Sequence, residues 1–175
     1  MHLLRIPLAL ALAAAAAVPV AANDGRGRDR IEARLKSYQE VPAVSSAAVG
    51  RFKATIDRAS GTLTYELSYS GLEGDVRQAH IHFGQHGVNG GIMVWLCQTA
   101  ANVSPVATTP QCPLSGSVGP TTISGADIVG PSGQGITVNE FAEMLAAIRA
   151  GAAYVNVHST KFPGGEIRGQ LRDDD

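Results

Sequence analysis

The chain has 175 residues, with 14 Lys and Arg against 15 Asp and Glu, for a formal net charge of -1. An apolar fraction of 45% with a charged fraction of 17% excludes an unfolded tail, and the length suits one domain with its own core. The balanced charge argues against a nucleic-acid partner and against a broad basic surface for anionic membranes, since both require an excess of cations.

Residues 1–22 read as an export signal. Arg5 supplies the positive n-region, Ile6 to Val18 form an Ala/Leu-rich apolar run, and Val20-Ala21-Ala22 offer small residues for cleavage. The run is too short, and too soon followed by Asn23-Asp24-Gly25-Arg26, to predict a membrane span, so no integral span is expected after cleavage. The expected location is the periplasm or the exterior of a bacterial cell. The predicted organisation is a flexible segment over 23–30, one domain over 31–172 and an acidic tail over 173–175.

Arg26 to Lys36 and Ser45 to Asp57 alternate polar and apolar residues, the pattern of half-buried strands. Arg58-Ala59-Ser60-Gly61 reads as a hairpin turn, and Thr62 to Tyr69 returns with Leu63, Tyr65, Leu67 and Tyr69 on one face. Further strands are predicted over Val76–Phe83 and Gly90–Cys97. Cys97 and Cys112 form an even pair in an oxidising compartment, which favours a disulfide over two thiolate metal ligands, as no C-x-x-C spacing is present. Closing a loop of that length contributes about 3 kcal/mol in the chain-entropy model. A strand over Thr121–Val129 follows. Thr137 and Glu140 then form a capping box for a helix near 138–150, with Phe141, Met144, Leu145 and Ile148 on its apolar face and Gly151 as its stop. Strands over Ala152–Ser159 and Glu166–Arg172 complete a mostly β, single-domain antiparallel β-sandwich with one inserted helix.

The histidines carry the chemical information. Once His2 leaves with the signal, His80, His82, His86 and His158 remain. His80 and His82 project to the same face of their strand, and His86 follows in a Gly-rich loop able to fold its ring back. His158 shares a face with Tyr154 and Asn156, two residues able to orient an imidazole. An all-imidazole set suits copper, with zinc the second choice, and disfavours magnesium or calcium.

Several segments resemble the CHRD (chordin-type) domain family: Glu40-Val41-Pro42, Ala79-His80-Ile81-His82 with Asn89-Gly90, Tyr154-Val155-Asn156-Val157-His158-Ser159, and Pro163-Gly164-Gly165-Glu166-Ile167-Arg168-Gly169-Gln170-Leu171. The resemblance runs from Ile31 to Arg172. It implies a secreted β-sandwich and a non-catalytic reading, an extracellular module that binds a protein partner. The paired histidines and the late His158 also resemble copper-only superoxide dismutases. That likeness implies a four-imidazole copper site of His80, His82, His86 and His158, superoxide as substrate, and Arg168 as the cation that guides it. Two features depart from it: His86 follows the pair by only four positions, and no cysteine lies near Arg168. Copper storage or delivery without turnover would use the same ligands and need no guiding arginine.

Overall fold

The computed structural model describes residues 29–173. The expected export signal, the segment 23–28 and residues 174–175 lie outside the described residues. Asp29 and Arg30, expected in the flexible segment, already belong to the first strand, and Asp173 belongs to the last.

β1 (Asp29–Lys36), β2 (Val49–Asp57) and β3 (Thr62–Ser70) form an antiparallel meander whose side chains alternate between core and solvent. Gly61, at φ 64°, closes the tight turn between β2 and β3. β4 (Val76–Phe83) and β5 (Gly91–Cys97) follow as predicted, and Cys97 is bonded to Cys112, with their Cα atoms 4.9 Å apart.

β6 (Gly116–Ile123) departs from the expected span of 121–129. Gly119 and Pro120 read as a break, yet they sit where the register against β3 slips between Tyr65 and Leu67. A bulge on the sheet's last strand tolerates a residue with no N–H to donate. Beyond Ile123 the chain makes a 3-10 turn at Gly125–Asp127 instead of continuing as a strand.

α1 (Phe141–Arg149) starts later than expected because only half of the capping box forms. The Glu140 carboxylate accepts from the Thr137 amide at 2.6 Å, but the Glu140 amide donates to the Thr137 backbone carbonyl and not to its hydroxyl. Asn139, at φ 70°, lies inside the box, and its left-handed backbone keeps residues 137–140 out of the helix. At the other end Gly151 (φ 66°) donates to Ile148 and Ala152 donates to Ala147, the paired bonds of a Schellman stop. β7 (Ala153–Ser159), β8 (Ile167–Gln170) and β9 (Arg172–Asp173) complete the chain.

Along the sheet the strands run β5-β4-β7-β8-β1-β2-β3-β6, with β9 added to β1. β8 and β1 meet at a single register pair, Arg168 with Lys36. β9, one residue beyond β8, continues that pairing at Glu32 with Arg172 and Ile31 with Asp173. Tyr65 on β3 donates its hydroxyl to the Leu96 carbonyl on β5, joining strands far apart in the order. The result is a sandwich-like β fold with one helix. Phe52, Tyr65 and Leu67 from one half pack in a shared core with Ile81, Val155 and Ile167 from the other. Burying one such side chain contributes roughly 1.5–3 kcal/mol.

Candidate metal centre

β7 is buried at every position, although its sequence alternates apolar and polar residues. Ala153, Val155 and Val157 belong to the core. Tyr154, Asn156 and His158 point to the other face, away from that core, and are buried there as well. Register places His80 of β4 opposite Asn156, His82 opposite Tyr154, and Arg168 of β8 opposite Asn156 on the far side. Trp95 of β5 is opposite His80, its ring edge-on to the imidazole with centroids 4.3 Å apart. Four strands thus assemble one polar cluster beneath the loops that cover it.

Each of His80, His82 and His158 offers a ring nitrogen lying within 4.8 Å of the others. His82 Nδ1 donates to the Gly90 carbonyl at 2.9 Å, and His158 Nδ1 donates to the Pro163 carbonyl at 2.9 Å. Those bonds fix both rings in the tautomer with an unprotonated Nε2. Nε2 of His158 lies 3.2 Å from Nδ1 of His80 and 3.0 Å from the Asn156 amide oxygen. Nε2 of His80 and Nε2 of His82 are buried with no hydrogen-bond partner.

Burial keeps all three rings neutral. It pushes His80 down to about 2, aided by its two imidazole neighbours, and His82 down to about 4 against the pull of the Gly90 carbonyl. His158 shifts in the same direction, again through burial and against its Pro163 bond. Neutral imidazoles with inward lone pairs are the form in which histidine binds a transition metal. A buried polar atom left unpaired costs about 1–3 kcal/mol, and a metal ion would satisfy both orphaned nitrogens. The donor set fits copper or zinc, the metals imidazole serves well.

His86 is not part of this group. It is exposed, at the tip of a turn closed by the Val88 amide on the Gln85 carbonyl, with Gly87 at φ 76°. The expected set of four imidazoles is therefore a set of three. Arg168 holds the loop in this conformation. Arg168 donates to the Gln85 carbonyl at 3.3 Å, the Val88 carbonyl at 2.8 Å and Asn89 Oδ1 at 3.1 Å. Its guanidinium carbon lies 3.4 Å from the Tyr154 ring centroid, and the residue is only 2% exposed. A guanidinium so engaged clamps the loop and is poorly placed to collect an anion from solvent, contrary to the guiding role expected of it.

Tyr154 and Asn156 are where orienting groups belong. The Tyr154 ring stacks on His82 at 4.7 Å with planes 3° apart, and its hydroxyl accepts from the Gly90 amide at 3.3 Å. Glu40, which no sequence pattern marks as a site residue, is a buried member of this cluster. Burial pushes its carboxyl up to about 7, opposed by the Arg168 charge and by bonds from the Val41 amide and Asn156. Its sequence signal was its place just before Val41-Pro42, a stretch with no strand or helix pattern of its own.

The model of the CHRD domain family matches residues 31–171. The chain belongs to the CHRD domain family. Membership points to an extracellular interaction module, the setting in which CHRD domains typically occur. No helix among the described residues is long and apolar enough to cross a membrane. Neither the curated proteins nor the solved structures compared with this CHRD domain yield a match. The three imidazoles on the CHRD sheet are held by segments within the matched span, including the Ala79–His82 and Tyr154–Ser159 stretches.

Proposed function

We propose that this CHRD domain is an exported copper protein whose ion is held by His80, His82 and His158, and that the bound ion dismutates superoxide. The observation that carries the metal reading is the pair of buried, partnerless Nε2 atoms on His80 and His82 beside Nε2 of His158. Three imidazoles leave one position of a four-coordinate ion free for a small ligand, the arrangement of catalytic sites in contrast to closed structural ones. When bound, copper supplies one-electron exchange, oxidising one superoxide to dioxygen and reducing a second, with two protons, to peroxide. The chain's own residues orient and shield. The Gly90 and Pro163 carbonyls fix the His82 and His158 rings, while Trp95 and Tyr154 pack against His80 and His82.

The placement of Arg168 favours a second reading, in which the domain holds copper for storage, delivery or a protein contact without turnover. A cation withdrawn into loop contacts provides no electrostatic steering. Zinc is the second metal, and with it no redox cycle exists.

The test is copper stoichiometry on the purified protein, followed by superoxide decay in pulse radiolysis. One tightly bound copper, lost in His80→Ala and His158→Ala variants that still fold, supports the metal centre. Rapid decay by the copper form supports the enzyme, and bound copper without decay supports storage or delivery. Failure to bind copper or zinc would overturn the metal centre.

A further inference from the structure

The cations of this domain are not spread evenly. Six of them, Arg30, Arg34 and Lys36 on β1, Arg51 and Lys53 on β2, and Arg172 on β9, are exposed residues on one face of the sheet, the face away from the core. On the paired positions of β1, β2 and β3 three carboxylates share that face, Glu32, Asp57 and Glu66. Elsewhere cations are engaged. Arg58 and Arg149 bind Asp29, Lys161 binds Glu73, Arg77 donates to Asn102, and Arg168 clamps its loop. On the basic face Arg51 alone has a carboxylate within 4 Å, that of Glu32, among the described residues.

This placement opposes sheet stability. Arg34 and Arg51 are directly opposite each other across β1 and β2, a like-charge pairing that weakens a sheet. Arg30 to Lys36 extends the row of positive charge over roughly 20 Å at about 3.3 Å per residue. Two depressions open on the same face. One, about 330 Å³, is lined by Arg30, Arg51, Lys53, Thr64 and the carboxylate of Glu66, and the other, about 450 Å³, by Arg34, Lys36, Gln170, Arg172 and the carboxylate of Glu32. Both fall within the lower range of sites that hold small ligands or single units of a polymer. Between the cations stand hydroxyls: Thr55, Thr64, Ser68 and Thr122.

We propose that this face binds an acidic polysaccharide, with the cations pairing to its carboxylates or sulfates and the Thr and Ser hydroxyls bonding to its sugars. A linear polyanion matches a flat row of charge. A lipid surface would call for several apolar side chains to insert, and on the paired positions of β1 and β2 this face exposes one large one, Val49, at its end opposite Lys36. The near-zero net charge, which argued against any basic surface, averages this face with the rest of the chain and so conceals it. The inference is independent of the metal centre, which occupies the other half of the sheet.

The test uses the purified protein, size-defined alginate, and vesicles of phosphatidylglycerol with phosphatidylcholine as the competing probe. The expected result is alginate binding that weakens as salt is raised, with at least a tenfold loss in an Arg34→Ser/Lys53→Ser double variant. A Lys161→Ser/Arg77→Ser variant removes equal charge elsewhere and should bind as the parent does. Circular dichroism confirms folding of both variants. Absence of alginate binding, equal losses in the two variants, or binding to the vesicles alone would overturn the proposal.

Discussion

Acidifying the metal-free domain from pH 7 to pH 5 is expected to destabilise it through its buried histidines, and replacing Glu40 should make the loss steeper. In the unfolded chain His80 and His82 titrate near 6.5, while in the folded protein they remain neutral down to about 2 and about 4. As pH falls below 6.5 the unfolded chain takes up protons that the folded one refuses. Stability therefore drops with pH, by roughly 2 kcal/mol for each of these two residues across the window. His158, shifted in the same direction, adds to the loss. Glu40 works in the opposite sense. Its folded carboxyl, raised from 4.5 to about 7, gains its proton before the unfolded one does. It stabilises the fold as pH falls through that interval by about 2 kcal/mol, offsetting about one histidine.

The assay is urea unfolding at pH 7 and pH 5 with the disulfide intact, on the parent and on Glu40→Gln. The parent should lose roughly 1.5–3.5 kcal/mol, the upper figure including a full contribution from His158. Glu40→Gln should lose about 2 kcal/mol more than the parent over the same interval, having no proton to gain. A parent whose stability does not change with pH, or a variant with the same pH dependence as the parent, would refute the burial argument.

Three further outcomes follow from single contacts. Replacing both Cys97 and Cys112 with Ser should lower stability by about 3 kcal/mol, read as a lower urea midpoint without loss of the β spectrum. Arg168→Leu should destabilise by about 2–3 kcal/mol and speed amide exchange through residues 84–90; unchanged protection there would disprove the clamp. Gly165→Ala should cost at least about 1 kcal/mol by thermal unfolding. Gly165 sits at φ 129°, and a Cβ built there would stand 2.7 Å from the Glu40 carboxyl carbon.

Strands with one wet face were legible in the sequence because their alternation is a local property. β1, β2 and β3 show it plainly, and the paired His80 and His82 inherit the same rule. β6 was misplaced because Gly119-Pro120 breaks the local pattern, and only its pairing with β3 accommodates the break as a bulge. The start of α1 was misplaced because the capping box was complete in residue type but not in hydrogen bonds. The cluster of His80, His82 and His158 was legible in the H-x-H pair and the late histidine, while His86 lies apart from it. What separates His86 from the others is a contact made by Arg168, 82 positions later in the chain and invisible to spacing. Glu40 was missed as a site residue for a related reason. Nothing within its own segment says that the sheet bearing Asn156 and Arg168 will close over it.

The two faces of the fold answer to different demands. On β7 a polar row of Tyr154, Asn156 and His158 is buried although the opposite row already supplies the core. Hydrophobic packing does not require that second burial. It leaves three imidazoles uncharged, a carboxyl desolvated and two ring nitrogens without partners. Apolar side chains of similar volume would remove those penalties, and the proposed metal ion would repay them by binding the folded state. The basic face of β1 and β2 presents the reverse case: its cations are exposed, Arg51 pairs with Glu32, and Arg34 opposes Arg51 across the strands, a like-charge pairing that the proposed polyanion would relieve without entering the fold. The proposed metal at one face and the proposed polyanion at the other are separable, and substitutions at Arg34 and Lys53 should leave copper stoichiometry unchanged.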